Sequence, residues 1–288
     1  MWIDQLIAAG PVVTDGAWGT QLQTLGLSGG ACPDEWNLSH PDIVAEVPRR
    51  YVEAGSQIVL TNTFRANRIA LTSYDLADQA AEINRLGVEI SRRAVGDRAH
   101  VFASMGPTGK MLLAGEVSED ELRTVFAEQA RTLADAGADA LVIETMAELE
   151  EAELAVAAAR QTGLPVVACV VFDSGAEHDR TMMGVPPEQA AARLTAAGAD
   201  VVGANCGQGI AGYVDICRRM RTATSRPLWI KANAGIPEVV GGEVVYRTTP
   251  AQFAAHVPAL VAAGAQFIGG CCGTSPAYIA AVGKEIRK

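Results

Sequence analysis

The sequence predicts an α/β fold, a single-domain (β/α)8 TIM barrel spanning residues 1–288, and three observations carry that reading. Eight short apolar runs recur along the chain, at residues 11–17, 57–63, 100–106, 138–145, 165–172, 199–206, 227–234 and 266–272. Alanine-rich stretches of helical period separate most of them. Several of those stretches end in the same pair, Ala54-Gly55, Ala136-Gly137, Ala197-Gly198 and Ala263-Gly264, each glycine suited to cap a helix just before a strand. The runs are continuously apolar rather than alternating, as strands buried on both faces are. A doubly wound open sheet is the competing fold, and the absence of a Gly-x-Gly-x-x-Gly after the first strand counts against it.

Taken in order, most of the runs end in polar residues. The first ends in Asp15-Gly16-Ala17, and a helix is expected to start nearby, with Ser39 as its cap and Pro41 in its first turn. The second ends in Thr61-Asn62-Thr63, and the third leads into the turn Gly106-Pro107-Thr108-Gly109. The fourth ends in Glu144-Thr145, and the fifth carries Cys169 inside an all-apolar run, which reads as core. The sixth ends at Cys206, the seventh at Asn233, and the eighth at Cys271-Cys272. In a barrel these ends share one rim, the face on which this architecture builds active sites.

The cysteines at that rim look like metal ligands. Cys206 lies in Gly203-Ala204-Asn205-Cys206-Gly207, and Cys271 and Cys272 lie in Gly269-Gly270-Cys271-Cys272-Gly273-Thr274. Three thiolates converging on Zn2+ leave a fourth position open, as in a catalytic rather than a structural site. Adjacent residues of a regular strand face opposite ways, so both members of the pair reach one metal only if the backbone turns there. The flanking glycines are expected to permit that turn through dihedrals closed to other residues. Ordinary buried thiols and a strained vicinal disulfide are the alternatives. Cys32 and Cys217 receive no role. The four histidines, His40, His100, His178 and His256, fall outside the proposed site.

Composition narrows the function classes. The chain is 49% hydrophobic with a net charge of −10 and no basic run, which argues against nucleic acid and anionic membranes as partners. No stretch is long and apolar enough to span a bilayer. The first residues lack a basic, signal-like segment, so a reducing cytoplasmic setting is expected, with cysteines serving metal or catalysis.

Taken together, these segments resemble the homocysteine S-methyltransferase family over nearly the whole chain. The resemblance rests on Asp15-Gly16-Ala17-Trp18-Gly19-Thr20, Leu60-Thr61-Asn62-Thr63-Phe64, Gly106-Pro107-Thr108-Gly109, Ile143-Glu144-Thr145, Gly203-Ala204-Asn205-Cys206, Asn233-Ala234-Gly235 and the Cys271-Cys272 motif. It is strongest toward the homocysteine-binding barrel of cobalamin-dependent methionine synthase. The resemblance implies methyl transfer to homocysteine held as a zinc thiolate, giving methionine. It implies Cys206, Cys271 and Cys272 as ligands, with Asn233 at the fourth position when substrate is absent. It assigns Asp15 and Glu144 to the substrate amino group and the amides near Gly16 and Ala17 to its carboxylate, with Asn62 and Asn233 also facing substrate. Structural alternatives stand beside these roles: Asp15 as a helix cap, and Asn62 and Asn233 as loop pins. The ligand set agrees with the chemistry, because three thiolates and Zn2+ sum to about −1, which makes a poor activator of water and a good carrier of a nucleophilic sulfur.

The donor is expected to be a methylcobalamin carried by a separate corrinoid protein, since no cobalamin module is expected within this chain. A small donor such as S-methylmethionine or betaine is the alternative. Gly273 stands where S-methylmethionine-dependent relatives have arginine, and Thr145 where betaine-dependent ones have tyrosine, although Trp18 or Trp36 could face a cationic donor. Another thiol or selenol could serve as acceptor. A zinc-binding, thiol-sensing barrel without turnover is the alternative of another class.

Overall fold

The computed structural model describes residues 2–241 and 243–288. Eight parallel strands form a barrel: β1 (Val12–Val13), β2 (Ile58–Val59), β3 (His100–Met105), β4 (Ala140–Met146), β5 (Val166–Val170), β6 (Val201–Cys206), β7 (Leu228–Ala232) and, after a small hairpin of β8 (Glu238–Val240) and β9 (Glu243–Val245), β10 (Ala265–Gly270). Their order is β1-β10-β7-β6-β5-β4-β3-β2. Gln57 N donates to Val13 O at 2.8 Å and joins the two ends of that order, β1 and β2.

Each barrel strand is followed by a helix that covers it. In sequence order these are Pro41–Glu53, Ala80–Val95, Glu119–Asp135, Leu149–Arg160, Pro187–Ala197, Ile210–Ala223, the broken pair Pro250–Ala254 and Val257–Ala262, and Pro276–Ile286. The helix Glu119–Asp135 shows why they form. Ser118 and Glu121 make a reciprocal capping box, and Leu122, Val125, Phe126, Gln129, Ala130 and Leu133 bury one stripe at helical spacing. The four expected cap glycines all take left-handed φ angles, +102° at Gly55, +94° at Gly137, +101° at Gly198 and +103° at Gly264. Ser39 differs from expectation. It closes the short helix Trp36–Ser39, its hydroxyl bonds Glu35 and His40, and His40 takes the cap position before Pro41.

The lower barrel is filled by apolar side chains. Phe102, Trp229 and Phe267 stack across it with ring centroids 5.9 and 5.3 Å apart, among Val12, Ile58, Val142, Val167 and Val201. The N-terminal helix Trp2–Ile7 closes this end, with Ile3 buried in the same cluster and Trp2 against His100 and Phe102. Truncating a ring such as Trp229 here costs about 3–5 kcal/mol. The rim carrying the polar residues therefore stands on an apolar core that includes none of Cys206, Cys271 and Cys272.

β1 and β2 are much shorter than the apolar runs at 11–17 and 57–63. Beyond Val13 and Val59 the chain stays buried, but a side chain replaces a ladder partner: Asp15 Oδ2 accepts Leu60 N at 2.8 Å. Sheet geometry ends there although burial does not.

Candidate active site and metal centre

Among the described residues, one group of three or more histidine, cysteine or acidic donors is close enough to share a metal ion: Cys206, Cys271 and Cys272, with ligand atoms all within 4.8 Å of one another. Cys206 is the last residue of β6 and has a left-handed φ of +67°, which breaks the strand at the thiol. β10 ends at Gly270, so Cys271 and Cys272 lie beyond the regular strand. Cys271 N bonds Ala232 O at 2.8 Å, Ala234 N bonds Cys272 O at 2.9 Å, and Thr274 N closes a turn on Cys271 O at 3.1 Å. The pair thus escapes strand alternation.

The glycines permit this differently from the sequence expectation. Only Gly273 is left-handed, at φ +79°. Gly269 and Gly270 are demanded by close approach, since a Cβ would strike Thr14 and the Asp15 carbonyl at one and Thr274 at the other. At Gly273 a Cβ would enter the ring of Tyr246, which covers this side of the cysteine pair.

The three thiols share charge unequally. Cys271 and then Cys272 donate to Cys206 and bring its thiol down to about 3. Donation to Cys206 in turn pushes Cys271 up to about 12, and donation to Cys206 and Cys271 pushes Cys272 far above the ordinary thiol range. Without a cation the cluster therefore holds one thiolate, and a divalent ion is what would let all three ionise. All six cysteines are unpaired. A tetrahedral zinc with Zn–S bonds of about 2.3 Å places its sulfurs about 3.8 Å apart, within reach of this cluster. Asn233 supplies a further oxygen donor. Its backbone N bonds Cys206 O at 3.2 Å and its Nδ2 bonds Gly207 O at 2.5 Å, while its buried Oδ1 has no hydrogen-bond partner among the described residues. The donor set fits zinc.

Beside the cysteines lies a buried acid–base group. Glu144, near the end of β4, accepts from Ser104 Oγ at 2.5 Å and from Asn205 Nδ2 at 3.4 Å. Burial raises its carboxyl to about 7, against the lowering effect of Lys231 and with a further upward push from Cys271. Lys231, 2% exposed, pairs with Asp15, 0% exposed, at 2.5 Å. Burial opposes the Lys231 charge, but Asp15 and Glu144 outweigh it and hold the ammonium above its ordinary value. Asp15 is fully engaged. Its Oδ1 takes Lys231, and its Oδ2 takes Leu60 N and Trp18 Nε1, both at 2.8 Å.

Several expected contacts are redirected. The Ala17 amide donates to Thr274 Oγ1 at 3.1 Å, so it is not an open carboxylate receiver. Gly16 leaves no room for a side chain, because a Cβ would sit 2.6 Å from the Tyr51 hydroxyl. The Asn62 amide donates to Pro33 O at 2.7 Å and Asn37 Oδ1 at 3.0 Å, pinning two rim loops together. Trp18 is tied to Asp15, and Trp36 is buried with its ring on His40. Cys169 and Cys217 are core thiols, and burial pushes Cys32 up to about 11. His100 lies against Trp2 at the far end of the barrel, and His178 and His256 line a separate cavity of about 620 Å³ that contains none of the cysteines. Sequence reasoning missed Ser104, Asn205, Lys231 and Tyr246. A lysine inside the buried run Leu228-Trp229-Ile230-Lys231-Ala232 was a readable signal, because such a charge needs a buried partner.

Comparison with known proteins agrees with this geometry. The family model described as homocysteine S-methyltransferase matches residues 12–286. The methionine synthase of Mycobacterium leprae is 32% identical over 305 residues, covering 99% of this chain and 25% of that protein. Betaine–homocysteine S-methyltransferase 1 of Danio rerio is 28% identical, covering 99% of this chain and 75% of that protein. The metallated homocysteine methyltransferase MmuM from Escherichia coli has the same fold, with a TM-score of 0.82 at 24% identity and 99% of both chains covered. The chain spans about a quarter of the length of the methionine synthase it matches. A match over almost the full barrel, with three cysteines gathered at its rim, establishes that the chain belongs to the homocysteine S-methyltransferase family.

Proposed function

We propose that this protein methylates homocysteine to methionine at the Cys206–Cys271–Cys272 cluster, with zinc as the resident metal and a methyl-corrinoid protein as donor. The observation that carries the reading is the cluster itself, three thiols within 4.8 Å beside a buried carboxylate. Zinc bound there would supply the positive charge that removes the substrate thiol proton near neutral pH, where a free thiol with a pKa of about 8.5 is mostly protonated.

The chain's own residues set the rest. Glu144 faces the substrate ammonium, and the incoming positive charge keeps the carboxyl ionised. Ser104 and Asn205 orient that carboxylate. Asp15, held by Lys231, Leu60 and Trp18, has its charge balanced behind it, and the Gly16 amide takes the substrate carboxylate. Asn233 Oδ1, buried without a hydrogen-bond partner among the described residues, would help the three thiols hold the metal. A thiolate-rich centre favours alkylation of a thiol over hydrolysis.

The corrinoid reading is supported by the similarity to methionine synthase and by Gly273. The Tyr246 ring fills the space a side chain at Gly273 would need, so an arginine there does not fit this backbone. Similarity to a betaine-dependent enzyme over most of its length keeps a small donor as the second reading. The deciding experiment measures zinc content together with methionine formation from homocysteine, offering S-methylmethionine, betaine and methylcobalamin in parallel. One zinc per chain with turnover on methylcobalamin alone supports the first reading. Turnover with a small donor replaces it by the second, and a zinc-loaded chain that binds homocysteine without any turnover indicates a thiol sensor.

A further inference from the structure

Two non-glycine residues at the rim hold left-handed backbone, Thr145 at φ +61° and Cys206 at φ +67°. A β-branched residue such as threonine is an outlier there, and such strain persists only where surrounding contacts fix it. Thr145 directly follows Glu144, and the register of β4 against β5 slips between Ile143 and Met146, so the strand bulges at the carboxylate. One side chain grips this bulge. Asn205, fully buried in β6 immediately before Cys206, accepts Thr145 N on its Oδ1 at 2.8 Å. Its Nδ2 donates to Thr145 Oγ1 at 2.6 Å and reaches Glu144 Oε2 at 3.4 Å and Cys271 Sγ at 3.9 Å.

The geometry points to Asn205 as a positioning residue: by locking the left-handed turn at Thr145 it sets where Glu144 stands relative to the cysteine cluster, and so sets homocysteine affinity. β4 and β6 are not neighbours in the sheet, with β5 between them. Ladder hydrogen bonds therefore relate Glu144 to Cys206 only through β5, whose register against β4 slips at the carboxylate, and the Asn205 amide ties the two directly. The same amide touches Cys271 just beyond the end of β10, which brings both halves of the cluster into register with the carboxylate. The inference rests on homocysteine being the substrate.

The test uses the zinc-loaded full chain and measures homocysteine affinity by calorimetry, zinc content and kcat. Removing two short hydrogen bonds to the bulge in N205A should weaken homocysteine about tenfold or more, with one zinc per chain retained and kcat at saturating homocysteine changed less than about threefold. Adding T145G to N205A should restore affinity to within about threefold of wild type, because glycine takes the left-handed turn without a clamp. A generic packing defect would not be rescued this way. T145V removes only the hydroxyl partner on a partly exposed residue, and it should weaken homocysteine in the same direction even if N205A folds poorly. Unchanged affinity in N205A and T145V, loss of zinc from folded N205A, or no rescue by T145G would overturn the inference. Wild-type protein that binds zinc but no homocysteine would instead strike at the proposed substrate.

Discussion

Replacing Glu144 by glutamine should make the protein more stable while making it bind homocysteine more weakly, and the stability gain should depend on pH. Burial holds this carboxyl at about 7 against an ordinary 4.5, so its ionised form is disfavoured by about 3 kcal/mol in the folded chain. The sign follows from the direction of the shift. An acid with a raised folded pKa favours the folded state fully below about 4.5, and that contribution is lost as pH rises through about 7. Glutamine cannot ionise and avoids the loss. It also keeps an acceptor for the Ser104 hydroxyl, although its amide faces the Asn205 donor, which adds a cost independent of pH.

Urea denaturation of wild type and E144Q at pH 5 and pH 8 isolates the charge effect from that constant cost. The advantage of E144Q should be about 2–3 kcal/mol larger at pH 8 than at pH 5. Metal content should matter little. Three thiolates with Zn2+ sum to about −1, and the metal-free cluster with one thiolate also carries about −1, so Glu144 feels a similar field in both states. An advantage equal at the two pH values would refute the reasoning and mean that Glu144 is solvated or compensated beyond Lys231 and Ser104.

C206A, C271A and C272A should each lose zinc and methyl transfer while far-UV circular dichroism and the unfolding midpoint stay close to wild type, because the stacked Phe102–Trp229–Phe267 layer does not involve the metal; global unfolding on chelation would show a structural site. K231M should destabilise the chain by about 3–5 kcal/mol in denaturant titrations, since it leaves Asp15 buried without its cation; a loss below about 1 kcal/mol would mean that Leu60 N and Trp18 Nε1 suffice to hold the charge.

Much of the fold could be read from the sequence because parallel barrel strands are continuously apolar and their helices end in glycine. Strand lengths could not. Thr14–Ala17 and Leu60–Thr63 are as buried as a strand, yet Asp15 takes over a backbone partner there, and apolar pattern reports burial rather than hydrogen bonding. The β8–β9 hairpin lay in a segment with no burial pattern, since Val239, Val240 and Val244 are exposed. Its signal was the Gly241-Gly242 pair between two Glu-Val-Val triplets, a hairpin cue that needs no buried face. The gathering of Cys206, Cys271 and Cys272 was readable because their residue type is rare and their setting repeated. Asn205 was not, because it owes its role to partners from strands far away in sequence; Lys231 could be read as needing a buried partner, but not which one.

These partners fix the charge state that a substrate meets. Asp15 and Lys231 cancel, which leaves Glu144 and the cysteine cluster as the two electronegative centres, joined through the Asn205 amide. In the proposed orientation homocysteine would bring an ammonium to the first and a thiol to the second, so binding should expel a proton at each. At pH 6 the substrate thiol and most of Glu144 are protonated, and release should approach about two protons per homocysteine. At pH 8 Glu144 is already ionised, and release should fall to about one or slightly less, from the thiol alone. Calorimetry in buffers of different ionisation enthalpy counts these protons directly. E144Q should release about one at both pH values, which assigns the difference to this carboxyl rather than to the cysteines. Wild type releasing the same number at pH 6 and pH 8 would mean that the ammonium does not meet Glu144, and the substrate orientation proposed above would have to be reversed.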